Sequence, residues 1–153
     1  IGGLEKSDGT GNVNYEAENH EHMVRVRAEK VQRVAGFLPP TEVHGPTSGD
    51  LLVLGWGGTY GAIRGAVNEA NARGRKVAHV HLRCLNPFPN DLGAILGRYR
   101  SVLVPELNTG QLSMLIRARY LIDAVGLNKV QGKPFTVEEI LEPIEKLLEV
   151  QRG

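Results

Sequence analysis

The stretch LLVLGWGGTYGAIRGAV, residues 51–67, has the glycine content of a phosphate-binding turn. A strand, a glycine turn and a helix would place backbone N–H groups at a helix N-terminus, where anions bind. The dinucleotide fingerprint, however, needs a glycine where Tyr60 stands and an acidic residue about 20 residues further on, where the chain has His81, Leu82 and Arg83. The pattern therefore favours a structural turn. Binding of NADP, with Arg83 on its extra phosphate, is the alternative.

The glycines of this turn are expected to serve backbone geometry. We expect Gly57 or Gly58 either to adopt a positive φ or to let the turn pass close to a neighbouring group. Ordinary φ angles with open space beside both residues would instead favour contact with a ligand.

Two histidines and the only cysteine lie around the next apolar segment. His79 and His81 share one face of a predicted strand, because strand side chains alternate, and Cys84 follows. Zinc needs three or four protein ligands, and no further ligand is visible near these two. We expect histidines that are hydrogen-bonded beneath a helix or at an interface. A single cysteine also excludes an intramolecular disulfide and a cluster held by four cysteines of this chain.

Polar, glycine and aromatic residues follow the three central predicted strands. The carboxyl ends of parallel strands meet at one edge of a sheet, where function concentrates. The candidate interface residues at this edge are Gly57, Gly58, Arg83, Asn86, Phe88, Glu106, Asn108 and Gln111. They include no nucleophile paired with a base, so we assign no catalytic, cofactor-binding or metal-binding residue. Phe88, between Pro87 and Pro89, is expected to be a rigid anchor that is partly exposed in the isolated chain and buried in a complex. The alternative is that its ring folds back into the core of its own domain.

The composition is that of a globular protein. The chain has 153 residues, 41% of them hydrophobic and 23% charged. A net charge of +1 and 5% aromatic residues argue against nucleic-acid binding. No apolar run reaches the roughly 20 residues that a membrane-spanning helix needs. We therefore expect a cytoplasmic protein with neither nucleic acid nor membrane as a partner.

The hydrophobic pattern predicts a linker followed by an α/β domain. Residues 1–49 read as a linker segment with one helix from Glu16, joining to a missing upstream domain, and residues 50–153 as the domain proper. Strands are predicted at 51–56, 77–82, 101–106 and near 128–132, and helices at 60–73, 91–99, 111–125 and after residue 136. Thr136 and Glu139 form a capping box at the start of the last helix. Such alternation implies a three-layer α/β fold, an open, mainly parallel sheet with helices on both faces.

Three ordered segments resemble the transketolase C-terminal-type domain in the alpha subunit of 2-oxoacid:ferredoxin oxidoreductases. They are LLVLGWGGTYGAIRGAV, VAHVHLRCLNPFPNDL and SVLVPELNTGQLSMLIRARYL. The segment GNVNYEAENHEHMVRVRAEKV, Gly11–Val31, resembles the connection to a preceding thiamine-pyrimidine-type domain. The overall likeness is greatest to the 2-oxoglutarate enzyme.

The resemblance implies a place in an enzyme that decarboxylates a 2-oxoacid on thiamine diphosphate, reduces ferredoxin through an iron–sulfur cluster and forms an acyl-CoA. It implies that thiamine diphosphate, its magnesium ion, the cluster and coenzyme A belong to the whole complex, and that this chain binds no cofactor by itself. The chain would be an inactive assembly domain. Its partners would be the upstream domain, the cluster-bearing beta subunit and, through the complex, ferredoxin. The alternative is a stand-alone module that binds NADP, an acyl-CoA or another anion.

Overall fold

The computed structural model describes residues 3–150. They divide into two compact units, one made of residues up to Pro39 with Cys84–Asn90, the other of Pro40–Arg83 with the residues from Asp91 onward. The boundary predicted between residues 49 and 50 stays a prediction. Within the described part, no helix combines the length and the apolar character that crossing a membrane requires.

The first unit contains the predicted N-terminal helix. Helix α1 spans Ala17–Arg33 and continues as a 3-10 turn, Val34–Phe37. None of its side chains is buried, although apolar residues recur at helical spacing. The preceding loop is tied to it by Glu5, whose carboxylate accepts two hydrogen bonds from the Arg27 guanidinium at 3.0 and 3.1 Å.

The second unit is built on a five-stranded sheet. Its strands are β1 Val43–His44, β2 Gly49–Trp56, β3 Val77–Leu82, β4 Tyr99–Glu106 and β5 Val125–Asn128. Its helices are α2 Tyr60–Ala72, α3 Leu92–Leu96, α4 Gln111–Tyr120 and α5 Val137–Val150. The strand order is β1-β3-β2-β4-β5, and all neighbours are parallel except β1 and β3. The predicted α/β class with a mainly parallel sheet is confirmed.

Both faces of the sheet are covered. Leu51 and Val53 of β2 pack with α2 and α5 in one core cluster. The alternate residues Leu52 and Leu54 are also completely buried, and on that opposite face Glu106 of β4 meets the start of α4. Burying each such leucine stabilises the fold by about 1.5–3 kcal/mol. The burial of the central strands therefore fixes the position of the turns at their carboxyl ends.

The start of α5 has the predicted capping box. The Thr136 N–H donates to Glu139 Oε2 at 2.8 Å, and the Glu139 N–H donates to Thr136 Oγ1 at 3.3 Å. Phe135 and Ile140, which flank the box, both lie in the core cluster between α2 and α5. The cap is therefore fixed by local hydrogen bonds and by the core together.

The predicted helix over 111–125 is wrong in its second half. Helix α4 ends at Tyr120, and Leu121 follows with φ +55°. Its buried side chains are Leu112, Ser113 and Ile116. Residues from Val125 instead pair with β4, which also moves the fourth parallel strand from 128–132 to 125–128. Pairing with a buried strand outweighs a local helical repeat.

The helix predicted over 91–99 is shorter than expected. Helix α3 covers Leu92–Leu96, because Tyr99 already pairs with Gly49 as the first residue of β4. Its buried side chains are Leu92, Ile95 and Leu96.

Candidate functional site

The turn after β2 is closed by its own side chains. Gly57–Thr59 form a 3-10 turn between β2 and α2. Thr59 Oγ1 donates a hydrogen bond to the Trp56 carbonyl at 2.9 Å and accepts one from the Trp56 N–H at 3.3 Å. Gly57 has φ +59°, so the expected positive φ is confirmed, whereas Gly58 lies in open space. The positive φ explains why residue 57 is a glycine, because residues with a side chain rarely adopt this backbone conformation.

A close approach explains the preceding glycine. A Cβ built on Gly55 would lie 2.4 Å from Ile63 Cδ1 and 3.0 Å from Thr59 Oγ1. The end of β2 and the side chains of the following turn and of α2 thus approach closely at residue 55. This glycine serves packing between strand and helix.

The turn after β4 is occupied by an internal carboxylate. Glu106 is completely buried, and its Oε2 and Oε1 atoms accept hydrogen bonds from the N–H groups of Leu112 at 2.7 Å and Ser113 at 2.9 Å. Asn108 Oδ1 accepts the N–H groups of Gly110 at 2.7 Å and Gln111 at 3.1 Å. Four N–H groups at the start of α4 thus already have acceptors, and the negative charge lies at the favourable end of the helix dipole.

The remaining candidates fall in different compact units. Arg83 belongs to the second unit, where it is exposed, and Asn86 and Phe88 belong to the first. Asn86 is exposed, but Phe88 has only 6% of its surface accessible. The expectation that its ring is partly exposed in the isolated chain is wrong. The chain buries this ring by itself, and the hydrophobic gain of about 1.5–3 kcal/mol favours that burial.

The second unit contains a cluster of histidine and tyrosine rings that the sequence predicts only in part. His79 and His81 share a face of β3, with ring centroids 5.9 Å apart, and His44 of β1 lies 5.9 Å from His79 on another side. Tyr60, the first residue of α2, lies 5.4 Å from His79 and 5.1 Å from His81. The sequence places His79 and His81 together through strand alternation. His44 lies in a segment that reads as a connector, so its contribution depends on strand pairing.

The predicted hydrogen bonds of His79 are absent. The side chain is completely buried, and neither ring nitrogen has a hydrogen-bond partner among the described residues. Burial, followed by the positive charges of His81, His44 and Arg64, lowers the pKa of His79 to about 3. Burial also lowers the pKa of His81, against a hydrogen bond with the Gly57 backbone that raises it. His79 is therefore a neutral ring at ordinary pH.

Metal binding finds no support in residues 3–150. They contain no group of three or more histidine, cysteine, aspartate or glutamate side chains that could hold a metal ion. The hydrogen bonds of Glu106 and Asn108 show that these two side chains cap the start of α4.

Comparison with known proteins gives a consistent set of relatives. The family model described as pyruvate:ferredoxin oxidoreductase core domain II matches residues 49–140, more than half of the chain. The 2-oxoglutarate oxidoreductase subunit KorA of Mycobacterium tuberculosis is 48% identical over 141 residues, which cover 92% of this chain and 21% of that protein.

Solved structures agree with this fold. The 2-oxoglutarate:ferredoxin oxidoreductase from Magnetococcus marinus, solved with 2-oxoglutarate, coenzyme A and succinyl-CoA bound, superposes with a TM-score of 0.87 and 36% identity. The match covers 95% of this chain and 26% of that one. An inactive β4 tetramer of a split-gene transketolase matches with a TM-score of 0.55 at 18% identity, covers 73% of this chain and 43% of that one, and shows the fold alone. The chain spans a fifth to a quarter of the length of KorA and of the Magnetococcus chain.

Proposed function

The chain belongs to the pyruvate:ferredoxin oxidoreductase core domain II family, and from that premise we propose that it is the assembly domain of the alpha subunit of a 2-oxoacid:ferredoxin oxidoreductase. The 2-oxoacid is 2-oxoglutarate. The whole enzyme oxidatively decarboxylates it to the acyl-CoA and reduces ferredoxin. This domain holds the subunits in register and performs no catalysis alone.

One observation carries the proposal. Likeness to the Magnetococcus enzyme extends over 95% of the chain, with a TM-score of 0.87, so it includes both compact units. The 48% identity to KorA of Mycobacterium tuberculosis supports 2-oxoglutarate over pyruvate as the 2-oxoacid.

The side chains of this domain support assembly over catalysis. Glu106, the one buried carboxylate among the described residues, has both oxygens engaged with the start of α4. The described residues do not fit magnesium or an iron–sulfur cluster, since they form no metal-binding group and contain the single cysteine Cys84. Thiamine diphosphate with its magnesium and the cluster would bind in the upstream domain or the beta subunit, and coenzyme A would belong to the whole complex.

Copurification with the proposed partners tests the proposal. A tagged form of this chain is coexpressed with the upstream domain and with the cysteine-bearing thiamine subunit. We expect the tag to retrieve both, and the complex to reduce a viologen dye with 2-oxoglutarate and coenzyme A faster than with pyruvate. The chain alone should show no turnover. Turnover by the chain alone, or full assembly and activity of the other parts without it, would contradict the assembly role.

A charge reversal tests the exposed part of the candidate interface. Arg83 follows the carboxyl end of β3, whereas Arg100, also exposed, lies near the amino end of β4, at the opposite edge of the sheet. We expect Arg83→Glu to weaken association with the partner subunits about tenfold, since juxtaposed like or unpaired charges cost binding energy. Arg100→Glu is the matched control and should leave association unchanged. Equal effects of the two variants would remove the carboxyl edge from the interface.

A further inference from the structure

A short strap crosses the edge of the sheet beside the histidine rings. We define the β1 strap as residues 42–45, which contain β1. It is held at one end by Thr41, whose N–H and Oγ1 donate to the Asp91 carboxylate at 2.8 and 2.6 Å. At the other end, Tyr99 Oη donates to the Pro46 carbonyl at 2.6 Å. The chain is therefore anchored on both sides of the strap.

The strap covers His79. Its residue His44 is the antiparallel partner of His79, and Val43 is the partner of Val80. The strap lies tightly on β3, because a Cβ built on Gly45 would be 2.7 Å from the Val77 carbonyl oxygen. The rings of His44, His81 and Tyr60 surround the His79 ring, and neighbouring rings of this cluster have centroids 5.1–5.9 Å apart. His79 has no accessible surface.

No described residue would stabilise a proton on His79 by a hydrogen bond. Neither of its ring nitrogens has a hydrogen-bond partner within residues 3–150. Three elements packed against His79 each place a positive charge near its ring: His44 on β1, His81 on β3 and Arg64 on α2. Arg83 adds positive charge at His81. Glu42, whose side chain is 81% exposed, lies 3.8 Å from His44 Nε2. A buried cation without a partner is among the costliest features a fold can contain.

We propose that His79 and the β1 strap form an acid-sensitive latch, in which protonation of His79 releases the strap from β3 while the rest of the sheet stays folded. The strap is the element that gives way, because β1 has two residues and one neighbour, whereas β2 and β3 pair along six positions. Opening the strap uncovers the ring, and water then solvates the charge.

The direction of the pH dependence follows from linkage. The pKa of His79 lies near 3 in the closed state, against 6.5 for a free histidine. The open state therefore binds protons more readily, so closure is fully stabilised above pH 6.5 and weakens as the pH falls below it. Between pH 7.5 and pH 5.5 the opening equilibrium should rise about tenfold. The carboxylate that holds Thr41 stays ionised in this window, because its hydrogen bonds with Thr41 lower the pKa of Asp91 against the effect of burial.

Hydrogen exchange of the full chain measures the latch. At pH 7.5 and pH 5.5, protection factors corrected for intrinsic exchange are compared for peptides covering the strap and for peptides in β2 and β4. We expect the strap to lose about tenfold in protection at pH 5.5 and the central strands to lose none. His79→Leu should abolish the pH dependence, and His22→Leu, an exposed histidine of the first unit, should preserve it.

Two results would overturn the latch. One is a uniform loss of protection across the sheet, which would indicate general acid unfolding. The other is persistence of the pH dependence in His79→Leu. A second measurement is independent of that variant, namely proton NMR titration of the histidine rings in the unsubstituted chain. A His79 resonance that titrates near pH 6.5 while the strap stays protected would also contradict the proposal.

Discussion

The buried carboxylate of Glu106 accepts the backbone N–H of Leu112 at 2.7 Å, so the last residue of β4 caps the helix that follows it. The connection crosses from the sheet to the layer of α4 and fixes the turn between them. A residue that sequence reasoning places among candidate interface positions thus stabilises the domain from inside.

Removal of this cap should destabilise the domain. Glu106→Ala leaves the N–H groups of Leu112 and Ser113 without acceptors in a buried site, and we expect a loss of about 3 kcal/mol in the free energy of unfolding. Glu106→Gln retains one acceptor oxygen and should lose less. Urea denaturation measures both, with Glu142→Ala, in an exposed pair with Lys146, as a control within about 0.5 kcal/mol of the unsubstituted chain. An unchanged midpoint in Glu106→Ala would contradict the cap.

The glycines around the β2–α2 turn should respond oppositely to alanine. Gly55→Ala forces a methyl group against Ile63 and should cost about 1–3 kcal/mol in stability. Gly61→Ala, in open space within α2, should stabilise the fold by about 0.5 kcal/mol because alanine favours the helix. Thermal melting of the two variants compares them directly. A neutral Gly55→Ala would show that α2 can shift away from β2.

Phe88 should contribute to folding. With 6% of its surface exposed, truncation in Phe88→Ala should cost about 3–5 kcal/mol of folding stability. Phe37 of the same unit is 88% exposed, so Phe37→Ala should change stability by less than about 0.5 kcal/mol. The free energy of unfolding and retrieval of the partner subunits are measured for both. Intact folding with lost retrieval in Phe88→Ala would restore the interface anchor.

Nicotinamide nucleotides should leave the chain unaffected. The N–H groups at the start of α4 are already bonded to Glu106 and Asn108, and Thr59 closes the turn before α2. A ligand present at 100 times its dissociation constant would add about 2.7 kcal/mol of stability. We therefore expect NAD and NADP to produce no shift of the melting temperature. A shift that increases with nucleotide concentration would instead support the NADP-binding alternative, and Arg83→Ala would then test the predicted phosphate contact.

Local sequence patterns were sufficient to predict those elements whose structure depends on residues close together in the chain. Strand β3 was predicted with its exact bounds, helix α2 to within one residue, and the start of α5 by the capping pair Thr136 and Glu139. Apolar spacing and helix capping involve residues within a few positions of one another, so they can be predicted without the tertiary structure. The three motifs that resemble the family were likewise visible, and the comparisons confirm the family.

Tertiary structure decided everything that depends on pairing between distant segments. Val125 and Leu121 continue a helical repeat in the chain, but pairing of β5 with β4 takes Val125 into the sheet and leaves Leu121 91% exposed. His44 reaches His79 only because β1 pairs with β3. The sequence by itself determined the α/β class and the family. The roles of Glu106 and Phe88 became clear only from burial and hydrogen bonding in the folded chain. Burial and hydrogen bonding depend on everything that surrounds a side chain in space, and not only on its neighbours in the sequence.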